Sequence, residues 1–220
     1  MIRNLTFILV AIFQMTLLHG QIVKNGIADL TNHDFNTSPS IELNGTWNFY
    51  QSSFITTLNE SILETPSSIK VPLRWDQSDY PAKGFGTYEL TIIKNANAPL
   101  AIRVPYIFSS YNFFINGILM TKMGTPGINE NTSIPGWQVK LVPTSHFKSD
   151  TLQLLIQVSN FDYSKGGIGK PLVIGTHEYL FEQKFIKDVY DVFFTGCLVM
   201  GGFFFLGLYF YGRRKKMTGV

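Results

Sequence analysis

The chain has one cysteine, Cys197, and it lies in an apolar segment near the C-terminus. The rest of the chain therefore has neither a disulfide nor a thiolate metal centre, and its stability must come from burial. An exported domain without cysteine also fits a bacterial periplasm better than a eukaryotic surface. Histidine is scarce: His19, His33, His146 and His177 are scattered, and no pair has metal-ligand spacing. Net charge is only +3, much of it from Arg213, Arg214, Lys215 and Lys216, so no basic surface for nucleic acid is present. The run Gly166-Gly167-Ile168-Gly169-Lys170 lacks the Gly-Lys-Ser/Thr ending that opens a helix in a phosphate loop. It reads as a turn between strands. A glycosidase needs two carboxylates about 5 to 10 Å apart across the scissile bond. Asp76 and Asp79 share a proline-bounded loop ahead of Glu89, where acids are solvated or cap turns. The reading is a protein without enzymatic activity and without a cofactor or metal.

Two apolar segments lie at the ends. Residues 1–20 have a positive start (Arg3), an apolar stretch from Leu5 to Leu18 and a small residue, Gly20, before Gln21. That stretch is short for a bilayer span, which takes about 20 residues, and reads as a signal peptide; an uncleaved N-terminal anchor is the other reading. Val192 to Tyr211 carries no charge. At about 1.5 Å per residue it just crosses a hydrocarbon core of about 30 Å. Tyr209 and Tyr211 suit the interfacial aromatic belt, and the basic block beginning at Arg213 marks the cytoplasmic side. The expected organisation is a signal peptide at 1–20, an extracytoplasmic domain at 21–175 and a juxtamembrane linker or short helix at 176–191. A transmembrane helix at 192–211 and a cytoplasmic basic tail at 212–220 complete it. This is a single-pass protein of the bacterial inner membrane with its domain in the periplasm. Gly196, Gly201, Gly202 and Gly207 would let other transmembrane helices approach closely.

Between these ends the pattern is of short strands. Ala101 to Val104 alternates with period two, as does Leu152 to Val158. Tyr111 to Ile115 runs into Asn116-Gly117 and then Ile118 to Met120, a strong hairpin signal because both turn residues favour positive φ. Pro72, Pro81, Pro99, Pro105, Pro126, Pro135 and Pro143 leave no room for long helices. The fold class is all-β, a sandwich or jelly roll.

Several motifs in order carry a family resemblance: Leu43-Asn44-Gly45-Thr46-Trp47, Val71-Pro72-Leu73-Arg74-Trp75, Gly84-Phe85-Gly86-Thr87-Tyr88 and Phe114-Ile115-Asn116-Gly117. The series resembles the galactose-binding-like jelly roll that forms the sugar-binding domain of family 2 glycoside hydrolases. With Val158 to Phe161, Gly166 to Ile168, Leu172 to Gly175 and the apolar segment before Arg213, it also resembles the bacterial seven-transmembrane receptors with diverse intracellular signalling modules. That resemblance implies an extracytoplasmic ligand sensor joined to the first membrane helix. The family continues into six further helices and an output domain, whereas this sequence stops at Val220. The two expectations are a receptor truncated after its first helix and a membrane-tethered carbohydrate-binding or adhesion domain without signalling output.

Sugar sites pair an aromatic face with charged or amide groups. The loop Arg74-Trp75-Asp76-Gln77-Ser78-Asp79-Tyr80 holds all these types, and Asn160-Phe161-Asp162-Tyr163 is a second cluster. Arg74, Trp75, Asp76, Tyr80, Asn160 and Asp162 are the candidate ligand-binding residues for a carbohydrate or other small molecule. Trp137 is a further loop candidate. Trp47, Trp75 and Tyr88 equally suit a core, and Asn160 a turn cap.

Overall fold

The computed structural model describes residues 21–57, 65–95 and 99–217, with side chains as far as Arg213. The signal-peptide segment and the last three residues of the tail lie outside the described residues.

The strands, in chain order, are β1 (Val23–Lys24), β2 (Ile27–Asp29), β3 (Ser40–Glu42), β4 (Gly45–Gln51), β5 (Ser67–Val71), β6 (Leu73–Arg74) and β7 (Gly84–Ile93). They continue with β8 (Leu100–Val104), β9 (Ser110–Ile115), β10 (Ile118–Met123), β11 (Lys140–Pro143), β12 (Thr151–Asn160), β13 (Gly167–Ile168) and β14 (Val173–Thr176). A larger sheet has the order β10-β9-β12-β7-β2-β1-β4-β5, with β4 also pairing β7, and a smaller one the order β11-β8-β14-β3. Pairing is antiparallel except where β1 meets β4 and β2 meets β7. The chain is a jelly-roll-like β-sandwich with one C-terminal helix.

Alternation decides which residues enter the core. In β12, Leu152, Leu154, Ile156 and Val158 are buried in the main core, and Gln153 and Gln157 point to the opposite face with Leu155. Tyr88, Leu90 and Ile92 of β7 and Tyr111, Phe113 and Ile115 of β9 join that core. Leu100, Ile102 and Val104 of β8 and Ile174 of β14 complete it from the smaller sheet. Each such side chain contributes about 1.5–3 kcal/mol by burial, which is how a domain without disulfides holds together. Asn116 and Gly117 take φ of 49° and 78°, and Ile115 pairs with Ile118 across the turn, so the hairpin forms as its sequence predicts.

The C-terminal helix joins two stretches that the sequence reading set apart. It runs unbroken from His177 to Met217 (α1, 41 residues), about 60 Å at 1.5 Å per residue. The stretch read as a linker or short helix is thus helical and continuous with the apolar segment, which is long and apolar enough to cross a membrane. No glycine or proline interrupts it between His177 and Thr195, and Glu178 complements the helix dipole in the first turn. Leu180, 1% exposed, packs with Ala101 and Val173 on the outer face of the smaller sheet, with Leu141 and Tyr179 beside them. That contact seats the helix on the domain.

Candidate functional site: an aromatic strip beside a charged groove

Beyond β8 the chain runs Pro105-Tyr106-Ile107-Phe108. Ile107 is buried, so the strand-like alternation turns Tyr106 and Phe108 outward, each half-buried. Phe108 is held by a backbone bridge to Gly167 in β13, with N–H donated each way at 3.3 and 3.2 Å. The loop before β11 is tied down where Gly136 N–H donates to Ser109 O at 2.9 Å, and it presents Trp137, 57% exposed. Trp137 stacks on Tyr106 with centroids 4.5 Å apart and planes within 14°, and tilts against Phe108 at 5.4 Å. Phe108 meets Tyr163 edge-on at 6.4 Å. The four rings form a continuous strip, with one large indole face turned to solvent.

At its Tyr106–Trp137 end the strip borders a groove of about 490 Å³, inside the roughly 300–1,000 Å³ typical of ligand sites. The domain contributes Glu42, Arg103, Gln138 and Lys170, and the helix contributes Gln183, Lys184, Lys187, Asp188 and Asp191. Strand register explains the domain wall. Val173 lies opposite both Glu42 and Arg103, so these three form one cross-strand row on the outer face of the smaller sheet. Val173 is covered by the helix, and the charged residues on either side of it open into the groove.

The sequence-predicted residues divide into two groups. Arg74 and Asp76 pair at 3.1 Å, and the Arg74 Nε is buried without a hydrogen-bond partner among the described residues. Arg74 lies opposite Gly167, Gly167 lies opposite Phe108, and the neighbouring Ser109 hydroxyl donates to Asp162 at 3.3 Å. Arg74, Asp76 and Asp162 are thus linked through adjacent strands to the Phe108 end of the strip. The run Gly166 to Lys170 is more than a turn, since Gly167 and Ile168 form β13 and pair with β6.

The other candidates serve as supports. Trp75 is 2% exposed and its indole N–H donates to the Tyr88 hydroxyl at 2.7 Å. Burial pushes the Tyr88 phenol above its ordinary range. Asn160 is fully buried, and its amide donates to the carbonyls of Ala82 and Tyr163 and accepts from Tyr163 N–H, fixing the loop that presents Asp162 and Tyr163. Tyr80 packs edge-on to Phe49 at 5.0 Å, with its hydroxyl 2.8 Å from Ser67 Oγ. It and Trp75 line a separate cavity of about 150 Å³, small for a sugar. Glu89 faces away from the strip, on the outer side of the larger sheet, where it accepts hydrogen bonds from Tyr50, Asn48 and Gln153. Among the described residues no group of three or more His, Cys, Asp or Glu is placed to hold a metal ion.

Of the residues around this strip and groove, sequence reasoning offered Trp137 as a further loop candidate and did not single out Tyr106, Phe108, Arg103, Lys170 or Glu42. The alternation of Ala101 to Val104, carried on, would turn Tyr106 and Phe108 inward with Ile102 and Val104; the phase shifts at Pro105, so no local signal marked these two rings.

No family model matches the chain, and no curated protein matches it in sequence. Among solved structures, it is similar to the β-glucuronidase of Ruminococcus gnavus at a TM-score of 0.46 and 17% identity, over 63% of this chain and 29% of that one. A structure of that enzyme in complex with D-glucuronic acid gives a TM-score of 0.46 and 17% identity, over 63% of this chain and 30% of that one. An apo structure gives a TM-score of 0.46 and 18% identity, over 63% and 29%. The chain spans less than a third of the length of the structures it resembles.

Proposed function

We propose that this chain is a membrane-tethered carbohydrate-binding module that faces the periplasm from the bacterial inner membrane. The observation that carries the reading is the solvent-facing indole of Trp137, backed by Tyr106 at 4.5 Å and continued by Phe108 and Tyr163. A rigid, flat, apolar face suits the C–H face of a sugar ring, and the polar groups at both ends can take its hydroxyls in pairs. The positive-inside bias of Arg213 to Lys216 supports the orientation.

A second reading adds signalling, with the domain as the sensor of a larger receptor and α1 as its first membrane helix. It is favoured by one observation: α1 leaves the domain without a break and is seated by Leu180. In that reading the ligand shifts a population between two helix arrangements through its differential affinity for them.

The test is titration of the full chain in nanodiscs with neutral and acidic oligosaccharides. Saturable binding of one sugar class is expected, with Trp137→Ala weakening it by about 2 kcal/mol, roughly thirtyfold, as for a central aromatic anchor. A folded chain that binds no sugar of either class overturns the carbohydrate reading.

A further inference from the structure

One wall of the groove beside the strip is the helix itself. Lys187 and Asp191 stand one turn apart on the side of α1 that faces Arg103, Lys170 and Trp137. Among the described residues the groove's one ion pair is within the helix, Lys184 with Asp188. Arg103, Lys170 and Lys187 have no carboxylate partner there, against Glu42 and Asp191 as the remaining acids. The groove thus brings three cations without a direct ion pair, two from the domain and one from the helix, to the edge of an aromatic platform, with Glu42 and Asp191 leaving an excess of one positive charge. Lys170 and Lys187 are exposed and Arg103 is half-buried, so none is locked in an existing pair and all three can turn to an anion bound on the platform.

We propose that the groove binds an acidic sugar, its ring on Trp137 and its carboxylate or phosphate between Arg103, Lys170 and Lys187, so that the ligand bridges the β-domain and the transmembrane helix. This rests on the carbohydrate reading and adds the charge of the ligand and the helix as part of its site. Asp191 immediately precedes the apolar segment, so the floor of the groove lies at the membrane surface. The same ring-plus-anion chemistry can arrive as a free sugar or as a lipid headgroup.

The experiment uses the full chain in nanodiscs and reads protection of Trp137 from acrylamide quenching, since Trp47 and Trp75 are buried and contribute little quenching. Soluble probes are oligogalacturonate and neutral galactose oligomers. The lipid arm compares phosphatidylcholine discs with and without phosphatidylinositol. Saturable protection by the acidic probe is expected, weakened roughly tenfold or more in Arg103→Gln and in Lys187→Gln, unchanged in Lys122→Gln on β10 and reduced by salt. Protection by phosphatidylinositol that is lost in Arg103→Gln and in Lys187→Gln assigns the headgroup as a source for the same site. If Arg103→Gln and Lys187→Gln bind as the native chain does while Trp137→Ala loses binding, the bridging site is overturned and the carbohydrate reading stands. If neutral and acidic probes bind equally, the anionic ligand is overturned. Absence of binding in every arm removes the carbohydrate reading together with the bridge.

Discussion

Trp75→Phe separates a structural tryptophan from a ligand-contacting one. Trp75 opens a short 3₁₀ turn at Trp75–Gln77, and its indole fills its space completely. A Cβ on Gly166 would come within 2.4 Å of Trp75 Cε3, and one on Gly167 within 2.7 Å of its Nε1. The substitution removes the N–H that binds the Tyr88 hydroxyl at 2.7 Å, in a site where Tyr88 is fully buried. Losing that hydrogen bond costs about 1 kcal/mol, and the void left by the smaller ring adds about 1–3 kcal/mol. For a domain of this size a total of about 2–4 kcal/mol lowers the melting temperature by about 5–15 °C. In the double variant with Tyr88→Phe the hydroxyl that lost its partner is also gone, so the two losses should fall short of additive by about 1 kcal/mol. Sugar affinity per folded molecule should not change, because Trp75 lies behind Gly166 and Gly167 and away from the strip. Thermal unfolding of the full chain in nanodiscs, followed by near-ultraviolet circular dichroism and paired with binding at low temperature, reads both quantities. A variant that melts with the native chain but no longer binds sugar would refute the assignment of Trp75 as a support.

Three further outcomes follow from the buried polar groups. The Tyr111 hydroxyl is buried with no hydrogen-bond partner among the described residues, so Tyr111→Phe should stabilise the domain by about 1 kcal/mol, read as a higher denaturation midpoint. Burial raises the phenols of both Tyr88 and Tyr111, while in the unfolded chain they titrate near pH 10. Above that pH the unfolded state releases protons that the folded state keeps, so their contribution is fully present below about pH 10 and falls above it by about 1.4 kcal/mol per pH unit for each tyrosine. Urea midpoints measured across that range should show the decline, with a shallower slope in Tyr111→Phe. Gly167→Ala should cost about 2–4 kcal/mol in the same assay, because φ there is +78° and the new methyl would meet Trp75 Nε1 and Tyr88 Oη, each within 2.7 Å.

Local signals in the sequence carried most of the sandwich. Asn116-Gly117 dictated its hairpin because both residues tolerate positive φ, and the alternation of Leu152 to Val158 exposed its inward face directly. The site was less legible, because a tryptophan reads alike whether it is a core strut or a platform. Trp75 and Trp137 both sit in loops bounded by proline or glycine. What separates them is tertiary: Gly166 and Gly167 close over one, and Tyr106 backs the other from a different strand end. Asn160 illustrates the same ambiguity, since an amide that can pair with a sugar hydroxyl pairs equally well with the carbonyls of Ala82 and Tyr163. Arg103 and Glu42 were beyond any local pattern. They come together only because β14 lies between β3 and β8, two strands distant in sequence.

The unbroken helix changes what a bound sugar can do if the domain is a sensor. A flexible linker would absorb a rearrangement at the groove, whereas 15 helical residues, His177 to Asp191, would pass a rotation there on to the apolar segment. What holds the helix against the sheet is chiefly the burial of Leu180, about 2–3 kcal/mol. An undocked state at that cost is populated at no more than a few per cent, close enough to be selected or suppressed by a ligand of ordinary differential affinity. An anion held between Lys187 on the helix and Arg103 and Lys170 on the domain favours the docked arrangement, and removing it weakens that bias. The direction follows from the charges: acidic sugar tightens the helix against the sheet, and high salt, by screening the same attraction, loosens it.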